Sequence, residues 1–302
     1  MHGLYHVVWA VDALKRRRAQ LDAVLITAAQ NLDTLYTAYL WLPPAERGQR
    51  PALDDLDWTL HVLNEAQRRG VKVIFEDTPP EVRHRLAAHP ALLAFGLADD
   101  ANTKDPDKLR ALCHPTQAPG ARRYISIGAT PQQPNAHCYG LSELIGVQVY
   151  PFQFASSDPA TQPAESIIHY WPILTAARAT ADLHGQRLIA NLQIHRNYSQ
   201  RHPTPEQVRV LAWAAMAAGV DGILWYALLD NDPSGPMWAP TELTSAVRDV
   251  TAEIRAGTSG RPTHCTLDGH ILTAEWPGGT RVQLDLQANR VLGLQTGPAP
   301  TP

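Results

Sequence analysis

Only three cysteines occur in 302 residues, Cys113, Cys138 and Cys265. Their odd number and wide spacing exclude a disulfide framework and a CxxC metal knuckle. Cys113 and Cys138 could pair, but three free thiols are the preferred reading. No apolar run approaches the roughly 18 residues that a membrane-spanning helix needs, so no membrane span is predicted. The opening MHGLYHVVWA has no charged segment ahead of a longer apolar one and no small-residue cleavage site, so it does not read as a signal peptide. A chain whose signal had been removed would read the same, and the compartment stays open. Neither sign of charge dominates: 26 Lys and Arg face 29 Asp and Glu, for a formal net charge of -3. The basic residues are scattered except for Lys15-Arg16-Arg17-Arg18, which reads as a solvated helix face, so nothing tracks a nucleic-acid backbone. Also absent are GxGxxG, GxxxxGK followed by Ser or Thr, HExxH and GxSxG, which removes sequence support for nucleotide binding, a zinc protease and acyl transfer. The first strand carries no HxH and no strand end offers a bridging Lys, so neither a metal nor a cofactor is expected.

What is present is an alternation of short apolar runs with longer stretches of helical periodicity, the pattern of βα units around a parallel sheet. Eight such runs occur: Gly3 to Trp9, Thr34 to Trp41, Val71 to Asp77, Ala91 to Asp100, Arg123 to Ala129, Leu144 to Phe152, Arg187 to His195 and Gly222 to Asp230. Eight is the number that closes a (β/α)8 TIM barrel. The punctuation agrees. Asp55 or Asp57 can cap a helix that Gly70 ends, Gly185 separates a helix over Ala164 to His184 from the seventh strand, and Thr204-Pro205-Glu206 places a cap before a proline at the first helical position. Thr241 to Ala256 reads as the closing helix. From Arg261 the texture changes to short alternating runs joined by DG and PGG turns, which predicts two or three strands packed on the barrel. The expected domains are 1–257, the barrel, and 258–302, a short β-rich appendage.

A barrel of this kind carries its site at the C-terminal ends of the strands. Strand three ends in Glu76-Asp77, strand four in Asp99-Asp100 with Asn102 beyond, and strand eight in Trp225-Tyr226 followed by Asp230. Glycosidic bond cleavage needs one protonated carboxyl to serve the leaving oxygen and one ionised carboxyl as nucleophile or base. Taken singly, each acid reads equally well as a helix cap; in a doubled acid one member can cap while the other faces the mouth. Trp9, Trp41, Tyr150, Trp225, Tyr226 and Trp238 fall at strand ends or just after them, where flat rings stack on sugars. Trp58, Trp171 and Trp213 fall on helices and read as core. His6 and His195 could line the mouth.

HPALLAFGLADDANTKDPDKLRAL, VQVYPF, LIANLQIH and PTPEQVRVLAWAAMAAGVDGILWYAL together resemble, in order, the fourth strand and helix, the sixth strand end, and the seventh and eighth strands of a group of (β/α)8 glycoside hydrolases. The resemblance covers Val71 to Asp230. It implies Asp99 and Asp100 at the Asp-Glu of a DEP motif, with Asp100 at the proton-donor position. It also implies Tyr150-Pro151 at a YP strand end, Gln193 at a seventh-strand Gln, and Trp225-Tyr226 at an aromatic pair. Gln148 stands where an Asp is more usual, Ala101 replaces the Pro, and Asp for Glu shortens the donor by one methylene. Many retaining hydrolases of this fold place a nucleophilic Glu at the end of strand seven; here Gln193-Ile194-His195 stands there, and a neutral amide cannot attack an anomeric carbon. The expectation is therefore a carbohydrate-active enzyme without a cofactor, with Asp100 as general acid, Asp99 positioning it and Glu76 as base or nucleophile. Tyr150, Gln193, His195, Trp225, Tyr226 and Asp230 would shape the sugar site. The rival expectation is a non-catalytic glycan-binding or structural barrel of a cell-surface or phage assembly. The oligomeric state is left open.

Overall fold

In the computed structural model the described residues are 2–6, 25–26, 28–30, 32–37, 53–76, 78–118, 120–128, 135–152, 166–196, 202–226 and 241–297. Eight of the apolar runs form strands: β1 (His2–His6), β2 (Thr34–Thr37), β3 (Lys72–Glu76), β4 (Leu92–Ala98), β5 (Arg122–Gly128), β6 (Leu144–Val149), β7 (Arg187–Gln193) and β8 (Gly222–Tyr226). All neighbours are parallel, each strand pairs with the next, and β1 pairs with β8, so the barrel is closed. The strands are near-continuously apolar because both faces are covered. On β6, Ile145, Val147 and Val149 join the outer core beneath the helices, whereas Leu144 belongs to a smaller inner cluster with Tyr36, Ile74, Ala94, Tyr124, Ile189 and Leu224.

Besides helical residues at 25–26 and 28–29, the described helices are α1 (Leu53–Arg68), α2 (Pro80–Leu86), α3 (Pro106–Leu112), α4 (Trp171–Leu183), α5 (Pro205–Ala217) and α6 (Thr241–Gly257). α5 starts as its sequence predicts. The Thr204 hydroxyl accepts from the Gln207 backbone N–H while the Gln207 side chain accepts from the Thr204 N–H, and Pro205 occupies the first turn, where no donor is missed. Gly219 follows with φ of 77°, a left-handed conformation that glycine adopts without a Cβ clash. α4 begins at Trp171 rather than at Ala164, because Pro172 suits only the first turn; before it, Ile167–His169 forms a 3-10 turn capped by Ser166.

The appendage has four strands, one more than the upper expectation: β9 (His264–Asp268), β10 (Ile271–Glu275), β11 (Arg281–Asp285) and β12 (Arg290–Gln295), antiparallel in the order β12-β11-β10-β9. Its inner face, Leu272, Ala274, Val282 and Leu284, is fully buried. Trp276 meets Trp213 of α5 edge-to-face at 5.4 Å, and the Trp213 indole N–H donates to Glu253 of α6, so sheet and barrel share one core. Cys113, Cys138 and Cys265 are free thiols. Among the described residues no helix is long and apolar enough to cross a membrane.

Candidate active site

Inside the barrel, polar groups begin below the mouth. The Tyr124 hydroxyl of β5 donates to Asn191 of β7 at 2.9 Å, and the Tyr36 ring packs edge-on against Tyr124 at 5.3 Å. Two glycines make room for these phenols. A Cβ at Gly96 would lie 2.9 Å from the Tyr36 hydroxyl, and a Cβ at Gly146 would overlap the Tyr124 hydroxyl. Glu76, 5% exposed, stands in register with Gly96 on the adjacent strand. Burial raises the Tyr124 phenol well above its ordinary value, and the nearby Asp99 and Glu76 carboxyls push it the same way.

Above this floor, β4 ends in the acid pair. A register shift between Gly96 and Ala98 re-aims the strand end. Asp99 is half-buried; its Oδ1 accepts from the Ser126 hydroxyl and from Gln148 Nε2 at 3.2 Å. Asp100 is exposed, in the left-handed region at φ of 45°, and its Oδ1 accepts from the same Gln148 Nε2 at 2.9 Å. Its carbonyl starts the 3-10 turn Ala101–Thr103, and buried Asn102 holds the Gly128 N–H at 2.8 Å, tying this turn to the end of β5. Asp99 is pushed above its ordinary value, first by desolvation and then by the charge of Asp100; the Ser126 hydrogen bond, the hydrogen bond from the Asp100 backbone N–H and, last, Lys104 oppose the shift.

Across the mouth stands an aromatic group. Tyr150 and Tyr226 stack at 5.5 Å with an interplanar angle of 21°, and His195 meets both edge-on, at 5.0 and 5.1 Å. His195 is 1% exposed, and desolvation followed by repulsion from His202 lowers its imidazole to about 3. A neutral imidazole packs here as an aromatic ring against Tyr150 and Tyr226 rather than as a cation. Tyr150 is raised well above its ordinary value by burial, then by Tyr226, Asp99, Tyr124 and Asp100, which places the rings within reach of the acids' field.

The structure thus brings Asp99, Asp100 and Glu76 to one end of the barrel with Tyr150, His195 and Tyr226. Gln193 is completely buried; its Oε1 accepts from the Phe152 N–H at 2.9 Å and its Nε2 donates to the His195 carbonyl at 3.0 Å. It pins the chain after β6 to the end of β7. Trp225 is also completely buried, in the outer core, one residue out of phase with inward-facing Tyr226. Asp77, Asp230, Trp9, Trp41 and Trp238 lie outside the described residues, as does the side chain of His6. Sequence reasoning passed over Ser126, Tyr124 and Asn191. Their signal was the polar atom at alternate positions of otherwise apolar strands. Among the described residues no group of three His, Cys, Asp or Glu could hold a metal ion.

No protein-family model matches the chain, and no curated protein matches it. Solved structures do. A GH5_18 protein of Bifidobacterium longum, solved with Manβ1-4GlcNAc, superposes with a TM-score of 0.65 at 12% identity, covering 89% of this chain and 82% of that one. A GH5_18 protein of Streptomyces cattleya, solved with GlcNAc, gives 0.60 at 16% identity over 86% and 82%. A β-galactosidase of the psychrophilic Marinomonas ef1 gives 0.60 at 11% identity, covering 85% of this chain and 60% of that one. At such identities the likeness is one of fold: the chain is a (β/α)8 barrel of glycoside hydrolase-like fold.

Proposed function

We propose that the protein hydrolyses a glycosidic bond, with Asp99 as proton donor, Asp100 as its charged neighbour and Glu76 as the base that activates water. The observation that carries this reading is the state of Asp99. It is a carboxyl held above its ordinary value by desolvation and by an adjacent acid, at the C-terminal end of a barrel strand. A donor must hold a proton at working pH, and desolvation beside a like charge shifts Asp99 in that direction. Asp100, at the position the motif resemblance implies for the donor, is exposed and fits the supporting role better. The aromatic faces of Tyr150 and Tyr226 suit the apolar face of a sugar ring. The GH5_18 proteins of like fold were solved with Manβ1-4GlcNAc and GlcNAc, which makes a hexose or N-acetylhexosamine substrate the first to test.

A second reading is favoured by one specific observation. Gln193 fills the end of β7 with an amide whose two ends are spent on backbone groups, so no carboxylate is offered there. A barrel that binds a glycan without cutting it would have that feature. Screening the purified protein against aryl glycosides and a polysaccharide panel separates the two, comparing wild type with Asp99→Asn and Asp100→Asn. Turnover that falls by about 10²–10⁴ in Asp99→Asn supports the hydrolase. Silence across the panel, with sugar binding intact in all three proteins, supports the binding barrel.

A further inference from the structure

We propose that Gln148 is the positioning residue of the acid pair, its one amide nitrogen fixing both carboxyls by their Oδ1 atoms so that Asp99 keeps Oδ2 to carry and release the proton. This rests on the reading of Asp99 as donor.

The geometry is specific. Gln148 Nε2 lies 2.9 Å from Asp100 Oδ1, 3.2 Å from Asp99 Oδ1 and 3.4 Å from Ser126 Oγ. A primary amide has two N–H donors, and here there is one for each carboxyl. Ser126 donates to the same Asp99 Oδ1, so both side-chain hydrogen bonds of Asp99 end on one oxygen. The Asp100 backbone N–H also donates to this carboxyl. An oxygen that already accepts two side-chain hydrogen bonds is the poorer of the two sites for a proton, which favours Oδ2 for the proton. Gln148 sits on β6 in register with Gly128 of β5 and Asn191 of β7, so a strand of the closed barrel rather than a loop sets its position.

The choice of an amide has a physical reason. Adjacent carboxyls repel, and one is driven toward its protonated form. A lysine or arginine at position 148 would hold them together but would favour ionisation of both, ending the donor role. A neutral amide holds them and leaves the repulsion in place. The other groups around Asp99 are consistent with this balance. Asp100 and Lys104 lie in its own segment, Glu76 comes from β3, Tyr124 and Ser126 from β5, and Tyr150 follows β6. Lys104 is the one cation acting on Asp99 among the described residues, and its effect ranks last among the causes.

The test is a ¹³C NMR titration of the Asp99 carboxyl in wild type and in Gln148→Met, which keeps the length and removes both donors. Loss of a donor to the ionised form raises proton affinity, and a rise of roughly tenfold is expected, one unit in pKa. If the protein proves active, the limb of its pH–rate profile that reports the donor moves up by the same amount, with kcat falling more than KM changes. A folded Gln148→Met protein in which Asp99 titrates within about a factor of two of wild type overturns the proposal, as does a limb that stays in place. Because the titration needs no turnover, a moved Asp99 in a protein that cuts no glycoside would sink the hydrolase reading and the donor role with it, and leave standing only that Gln148 fixes the acid pair and sets the proton affinity of Asp99.

Discussion

At the scale of single residues, burial decides protonation. His195 has an ordinary value of 6.5 and is lowered to about 3 in the folded chain. The unfolded chain therefore binds a proton that the folded chain refuses. The stabilising contribution is fully present above about 6.5 and is lost as pH falls toward 3. Denaturant midpoints measured at pH 7 and pH 4 are expected to fall together less steeply in His195→Gln than in wild type; equal losses in the two proteins would contradict the burial argument. How far residues were legible in sequence follows from where they sit. Asp99 and Asp100 were legible because a doubled acid at the end of an apolar run has few structural uses. Ser126, Tyr124 and Asn191 were not, because a strand covered on both faces hides which side chains point inward. Gln193 was visible as a missing carboxylate, but its bonds to the Phe152 N–H and the His195 carbonyl depend on a loop path that no local pattern encodes.

Elements were legible where local chemistry sets them. The Thr204 cap, Pro205 and Gly219 mark both ends of α5 in the sequence, and the barrel strands coincide with the eight apolar runs, β1 and β5 each starting one residue earlier. α4 starts later than its periodicity predicts because the 3-10 turn at Ile167–His169 has its own cap, Ser166, and is held from outside the segment. That outside contact is the appended sheet. The Ser166 hydroxyl donates to the Leu286 carbonyl, the Ile168 N–H reaches the same carbonyl, and the Ile167 N–H donates to Asn289, itself left-handed at φ of 53°. The sheet is therefore part of the barrel's core. Trp276→Ala, which removes a side chain 2% exposed against Trp213, is expected to cost about 3–5 kcal/mol in a urea unfolding experiment. A cost under about 1 kcal/mol would show the sheet to be a separable unit.

For the whole molecule, those same contacts give the sheet a route to the mouth. It holds the turn before α4, and just beyond that turn the Tyr170 hydroxyl donates to the Tyr150 carbonyl at 3.2 Å, beside the ring that stacks on Tyr226. Tyr170→Phe removes that one hydrogen bond while keeping the ring. It is expected to weaken sugar binding by about 2–10-fold, the equivalent of one neutral hydrogen bond, with the unfolding midpoint little changed, as read by calorimetric titration. Unaltered affinity would show that this hydrogen bond does not set the geometry of the mouth. Donation of a proton from Asp99 to the leaving oxygen is read out by leaving-group dependence. Wild type and Asp99→Asn would be compared on a series of aryl glycosides whose phenols range from strongly to weakly acidic. A loss of about 10²–10⁴ is expected for the weakly acidic phenols, which need the proton, shrinking to near nothing for the strongly acidic ones, which do not. A loss of the same size across the series would contradict donation by Asp99.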